Sequence, residues 1–267
     1  MNAVQRNNVT ITGKGSVTLL FAHGFGCEQN MWRFITPAFA ENYKIVLFDY
    51  VGCGNSDYSA YNVEKYSSLH GYAQDVIDIC KELDLSDVIF IGHSVSAMIG
   101  TLASIQVPGI FKNLIFVAPS PKYINEAEYF GGFTNEDIDG LLEVMESNFD
   151  GWASFLAPVV MQNKELPDFT SELQESFCNG DREMTKRFAR LTFTADNRDD
   201  IAKIKVPTLI LQCSEDAIAP ANVGEYLNDT IKGSTLVRME ATGHCPHMSH
   251  PRETIDVLSK YLQDYAY

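Results

Sequence analysis

Apolar residues fall along this chain in two alternating rhythms. Short continuous runs rich in β-branched and aromatic residues occur at 17–22, 43–50, 88–92, 113–118, 206–213 and 234–239, each apolar through its middle. Runs of that length and character read as strands buried on both faces. Between them the spacing becomes helical, first over 31–41. It is clearest where Leu69, Tyr72, Ala73, Val76, Ile77, Cys80, Leu83 and Leu85 recur at intervals of three and four. A further helix follows residue 94 and ends at Val107-Pro108-Gly109, and a terminal helix starts around Pro251. Strands joined by crossover helices predict a mainly parallel sheet flanked by helices, an α/β fold.

From 122 to 197 the strand rhythm stops. Thr134 or Asn135 can cap a helix through Ser147, Asp150 another from Gly151, and helical stretches continue over 171–177 and 182–193. The chain therefore divides into a sheet core, 1–121 with 198–267, and a helical insertion, 122–197. Tyr123, Tyr129, Phe130, Phe133, Phe149, Trp152, Phe155, Phe188 and Phe193 make that insertion aromatic. Most belong to its own core; about a third are expected to face a pocket.

The run Val88-Ile89-Phe90-Ile91-Gly92-His93-Ser94-Val95-Ser96-Ala97-Met98 joins a strand to a helix at one serine, the sequence form of a nucleophile elbow. Small neighbours are needed because flanking Cβ atoms on so tight a turn collide with the adjacent strand and helix. Gly92 meets this need, and Ser96 stands where a second glycine is usual. A serine that merely caps the helix is the alternative.

A serine hydroxyl needs a histidine base and an acid that orients it. The loop after the strand at 206–213 offers Asp216, with Glu215 as the rival acid. The loop after the strand at 234–239 offers His244, with His247 and His250 as rivals. An oxyanion hole requires two backbone N–H groups. Val95 supplies one, and Phe25 in His23-Gly24-Phe25-Gly26, after the first strand, supplies the other. A metal reading of His244, Cys245, His247 and His250 lacks a second Cys or a carboxylate cluster at zinc-ligand spacing, so neither metal nor cofactor is expected.

With 267 residues the chain can bury a full α/β core with an insertion. A formal charge of −15 sets the surface against nucleic-acid phosphates. No apolar run is long enough to cross a bilayer, and residues 1–8 lack the apolar stretch of a signal peptide, so no membrane association and a cytoplasmic location are expected. The six cysteines show no CxxC spacing and read as free thiols. The expected assembly is a monomer or weak dimer.

Several segments together resemble one branch of the α/β-hydrolase superfamily. They are His23-Gly24-Phe25-Gly26-Cys27 with Trp32, residues 47–57, Gly71-Tyr72-Ala73-Gln74-Asp75, residues 92–98, Tyr129-Phe130-Gly131-Gly132-Phe133, and residues 243–249. That branch contains the bacterial stress-response regulator RsbQ, to which the chain is most similar overall, and the plant karrikin and strigolactone receptors. The resemblance implies a Ser-His-Asp site roofed by a four-helix lid over a hydrophobic pocket lined by Phe25, Phe133, Trp152, Phe193, Ile218 and Ala219. It implies hydrolysis of a small hydrophobic ester or lactone, butenolide-like, in signalling and stress response. The bacterial relatives imply a PAS-domain PP2C-type phosphatase as partner.

Overall fold

The computed structural model describes residues 1–265. Seven strands, β1 (Thr10–Gly13), β2 (Thr18–Ala22), β3 (Lys44–Leu47), β4 (Val88–His93), β5 (Phe111–Val117), β6 (Thr208–Gln212) and β7 (Ser234–Arg238), form one sheet in the order β1-β3-β2-β4-β5-β6-β7. β1 runs antiparallel to β3 and every other pair is parallel. The expected mainly parallel α/β sheet is thus present, and all six predicted strands lie within it. β1 had no sequence signal, because its four residues are exposed at the sheet edge and carry no apolar run.

The helices are α1 (Ala3–Arg6), α2 (Leu69–Glu82), α3 (Val95–Gln106), α4 (Asn135–Ser147), α5 (Phe149–Met161), α6 (Pro167–Cys178), α7 (Arg182–Thr194), α8 (Arg198–Ile201), α9 (Ala221–Thr230), α10 (Pro246–Ser249) and α11 (Pro251–Tyr265). Residues 31–41, read as one helix, instead form two 3-10 turns, Gln29–Trp32 and Thr36–Ala38. Pro37 explains the break, since it has no N–H to donate and its ring disfavours the α conformation at the preceding residue. Thr134 caps α4 in a capping box with Asp137. The cap of α5 is Asn148, whose side chain accepts from the Gly151 amide, and not Asp150. Among the described residues no helix is long and apolar enough to cross a membrane, and the six cysteines are free.

Alternation along the buried strands sends residues to opposite faces of the sheet. Leu19, Phe21, Ile89, Ile91, Ile115 and Val117 pack on one face with Trp32, Met248 and Leu258, and that core continues into Trp152, Leu156 and Phe177 of the helical insertion. Leu20, Val46, Phe90, Leu114 and Phe116 pack on the other against Val76, Ile77, Ile99 and Leu102 of α2 and α3. α4 to α7 lie between β5 and β6 in sequence, and ties close the base of this insertion: the Asn197 amide donates to Pro121 O at 2.8 Å, Lys122 pairs with Asp196 at 2.9 Å, and Arg198 pairs with Glu126 at 2.7 Å.

Asp49, just past β3 and wholly buried, holds two loops that frame the carboxyl edge of the sheet. Its oxygens accept from the Gln29 amide at 2.8 Å, the Asn55 amide at 3.0 Å and Asn8 Nδ2 at 2.8 Å. Truncation strands those donors. Asp49→Ala is expected to lower stability by at least ~2 kcal/mol, the scale for leaving buried amides unpaired, as read by urea unfolding. A change within ~0.5 kcal/mol, ordinary for a surface substitution, would show that the loops stand without it.

Candidate active site

The carboxyl ends of β2, β4, β6 and β7 deliver the loops carrying Phe25, Ser94, Asp216 and His244, the edge where open parallel sheets bind ligands. Ser94 sits between β4 and α3 at φ 55° and ψ −123°, a conformation L-residues rarely adopt. A Cβ at Gly92 would stand 2.7 Å from the Ser96 carbonyl group, so the turn requires glycine there. Ser94 occupies the cap position of α3 yet its side chain makes no capping bond. The hydroxyl is therefore free for chemistry.

Ser94 Oγ lies 2.7 Å from His244 Nε2, and His244 Nδ1 lies 2.7 Å from Asp216 Oδ2. All three side chains are buried. A carboxylate only accepts, so His244 Nδ1 donates to Asp216 and, in the neutral tautomer, Nε2 is left to accept from Ser94. Asp216 Oδ1 accepts from the amides of Ile218 at 2.8 Å and Ala219 at 3.0 Å, which fixes the carboxylate. Glu215 is exposed and bridges its backbone to Thr242. The His244 amide donates to Val160 O of α5 at 2.8 Å, tying this loop to the helical insertion.

The rival histidines lie apart from Ser94. His250 shares a hydrogen bond with Ser249 Oγ at 2.9 Å. His247 is wholly buried between the rings of Trp32 and His93, with centroids 4.5 Å from each, and neither of its ring nitrogens has a partner. Burial and the neighbouring His244 and Arg33 push the His247 imidazole down to about 3, and burial with His247 and His244 holds His93 well below its ordinary range. Both rings are neutral.

Val95 is the first residue of α3, where an amide has no carbonyl within the helix to reach. On the facing loop, His23 donates from Nδ1 to Gly24 O at 2.8 Å and accepts the Tyr50 amide on Nε2 at 3.1 Å, which sets the turn presenting Phe25. Ser96 joins the two loops. Its hydroxyl donates to His23 O and shares a hydrogen bond with Tyr50 Oη at 2.9 Å. The serine that departs from the usual Gly-x-Ser-x-Gly thus clamps the elbow to the Phe25 loop, a role that its small size alone did not reveal.

Tyr123 is an aromatic of the insertion to which the sequence assigns no role. Its hydroxyl lies 3.2 Å from Ser94 Oγ, and burial keeps the phenol far above its ordinary value, hence protonated. With Ser94 donating to His244, Tyr123 donates to Ser94. The clue is positional: Tyr123 follows β5, the strand beside the elbow strand.

A cavity of about 30 Å³ touches Ser94 and His244, with Phe25, Tyr123, Phe193 and Ile218 among its walls. Of the residues expected to line a pocket, Trp152, Phe133 and Ala219 lie outside it. Trp152 is fully buried behind Phe25, packed on Phe149 and Phe177. Phe133 sits on the bridge between 124 and 133, and Ala219 spends its amide on Asp216 and its carbonyl on Gln212. A larger cleft of about 550 Å³ opens between α6, α7 and the loops after β2 and β3. Phe25, Cys27 and Leu173 border both spaces.

The alpha/beta hydrolase family profile matches residues 19–257. The chain is 38% identical to the karrikin insensitive 2 receptor CA of Petunia hybrida over 97% of this chain and 96% of that one, and 33% identical to strigolactone esterase D14 of Arabidopsis thaliana over 98% of each. The chain is an α/β-hydrolase of the karrikin and strigolactone receptor family. A hydrolase from Oleispira antarctica superposes with a TM-score of 0.96 at 42% identity, covering 98% of this chain and 96% of that one.

Two substitutions separate chemistry from packing. Tyr123→Phe is expected to lower kcat on an activated ester roughly fivefold, since one hydrogen bond is worth ~1 kcal/mol net, with the melting temperature held. An unchanged kcat would leave Tyr123 as wall only. Trp152→Ala is expected to cost about 3 to 5 kcal/mol in denaturant unfolding, the range for truncating a core tryptophan. A loss below ~1 kcal/mol would mean that α5 does not depend on it.

Proposed function

We propose that this protein is a serine hydrolase that cleaves small apolar esters or lactones through Ser94, His244 and Asp216. The observation that carries this reading is the pair of 2.7 Å contacts linking the three residues at a strained elbow. Ser94 Oγ attacks the carbonyl carbon as His244 Nε2 takes its proton; the amides of Phe25 and Val95 hold the oxyanion. His244 then returns the proton to the leaving oxygen, and a water, deprotonated by the same imidazole, releases the acid. Asp216 keeps Nδ1–H pointing inward and stabilises the imidazolium.

Beyond Ser94 and His244 the walls are mainly apolar, with Tyr123, Thr192 and His93 as polar exceptions, and favour a compact hydrophobic ester or a ring such as a butenolide. A space of about 30 Å³ holds little more than a water, so substrate enters only when the helical insertion, acting as a lid, moves. That closure also supports a second reading, in which slow turnover and product retention make the protein a ligand sensor. Relatives named as receptors favour a signalling output over a purely metabolic one. A PAS-domain phosphatase is the partner that this output would take in a bacterial setting.

Steady-state hydrolysis of a small activated ester tests the assignment. Ser94→Ala is expected to lose activity on the order of a millionfold, with folding retained. Asp216→Asn is expected to cost about 10⁴ in kcat by spoiling the histidine tautomer, while Glu215→Gln leaves the rate within about twofold, the outcome for a residue outside the relay. Activity in Ser94→Ala above about one per cent of the parent's, or loss in Glu215→Gln, would refute it.

A further inference from the structure

Behind the proposed relay lies a donor cluster that hydrolysis does not use. A ring nitrogen of His93, a ring nitrogen of His247 and the Cys245 sulfur all lie within 4.8 Å of one another, and all three side chains are buried. The donors come from two distant parts of the chain: His93 ends β4, whereas Cys245 and His247 belong to the loop and short helix after β7. Spacing within residues 244–250 offered no such set. Only the fold brings in His93.

The cluster is poorly explained as packing. His247 has no exposure, and neither ring nitrogen has a hydrogen-bond partner; His93 Nδ1 is also without one, while His93 Nε2 meets His244 O at 2.8 Å. A buried imidazole with both nitrogens unpaired is costly, since each stranded polar group forfeits about 1 to 3 kcal/mol, and such groups call for an explanation. Two neutral imidazoles and a thiol are also the donors that zinc takes in proteins. The small cavity of about 30 Å³ has His93 and Cys245 in its wall beside Ser94 and His244, so it offers an approach and room for one water as a fourth ligand.

We infer that His93, Cys245 and His247 form a binding site for a zinc-class divalent cation. Capture replaces the thiol proton, which leaves to solvent, with a metal–sulfur bond.

The test uses the full chain, stripped with a chelator and then titrated with Zn²⁺ or Co²⁺. Co²⁺ is expected to bind at one ion per chain and to give a near-ultraviolet thiolate-to-metal charge-transfer band. This readout is independent of activity and of any assignment of the nucleophile. Zn²⁺ is expected to displace Co²⁺ and bleach the band, and a chelator to remove either ion. Cys245→Ala should abolish the band, and both Cys245→Ala and His247→Gln should weaken binding beyond the ~10 to 100-fold that loss of an outer-shell partner costs. Each variant is checked by thermal melting. Absence of the thiolate band in the parent protein overturns the site, as does undiminished Zn²⁺ binding in a folded Cys245→Ala.

Discussion

Holding Ser94 at φ 55° is the constraint on which the rest of the site depends. A non-glycine residue in such a conformation costs of order 1 to 3 kcal/mol and persists only where its surroundings enforce it. Here the Ser94 amide donates to Val117 O at 2.9 Å, β4 is buried along its length, and Ser96 pins the first turn of α3 to His23 and Tyr50. With the backbone fixed, the hydroxyl lies 2.7 Å from His244 Nε2, and Val95 follows as the first residue of α3.

Further hydrogen bonds carry that geometry outward. His23 and Asp49 lock the loops after β2 and β3, and Asp216 is gripped by two amides from its own loop. The His244 loop is bonded to α5, so the helical insertion and the proposed base share a boundary. Phe25, Cys27 and Leu173 border both the small chamber at Ser94 and the much larger cleft.

The sheet was legible in the sequence because its strands are buried on both faces and announce themselves as apolar runs. β1 and the turns around Pro37 were not, since an exposed four-residue edge has no pattern and a proline can end a helical periodicity that otherwise looks sound. The residues brought together at the site, Ser94, Asp216 and His244, were legible as loops at strand ends. Its supporting residues were less so. Ser96, Tyr123 and His93 act through contacts across 73, 29 and 151 positions of chain, which no local spacing encodes. Trp152 illustrates the converse: an aromatic in the insertion, it supports Phe25 from behind instead of facing the chamber.

Labelling with a fluorophosphonate tests the central claim most directly, because this reagent phosphonylates only a serine whose proton is being withdrawn and whose developing charge is held. The account predicts a single adduct on the peptide containing Ser94, formed by the folded protein, absent after unfolding and strongly slowed in His244→Ala. An adduct on another residue, or none on the folded protein, would contradict it.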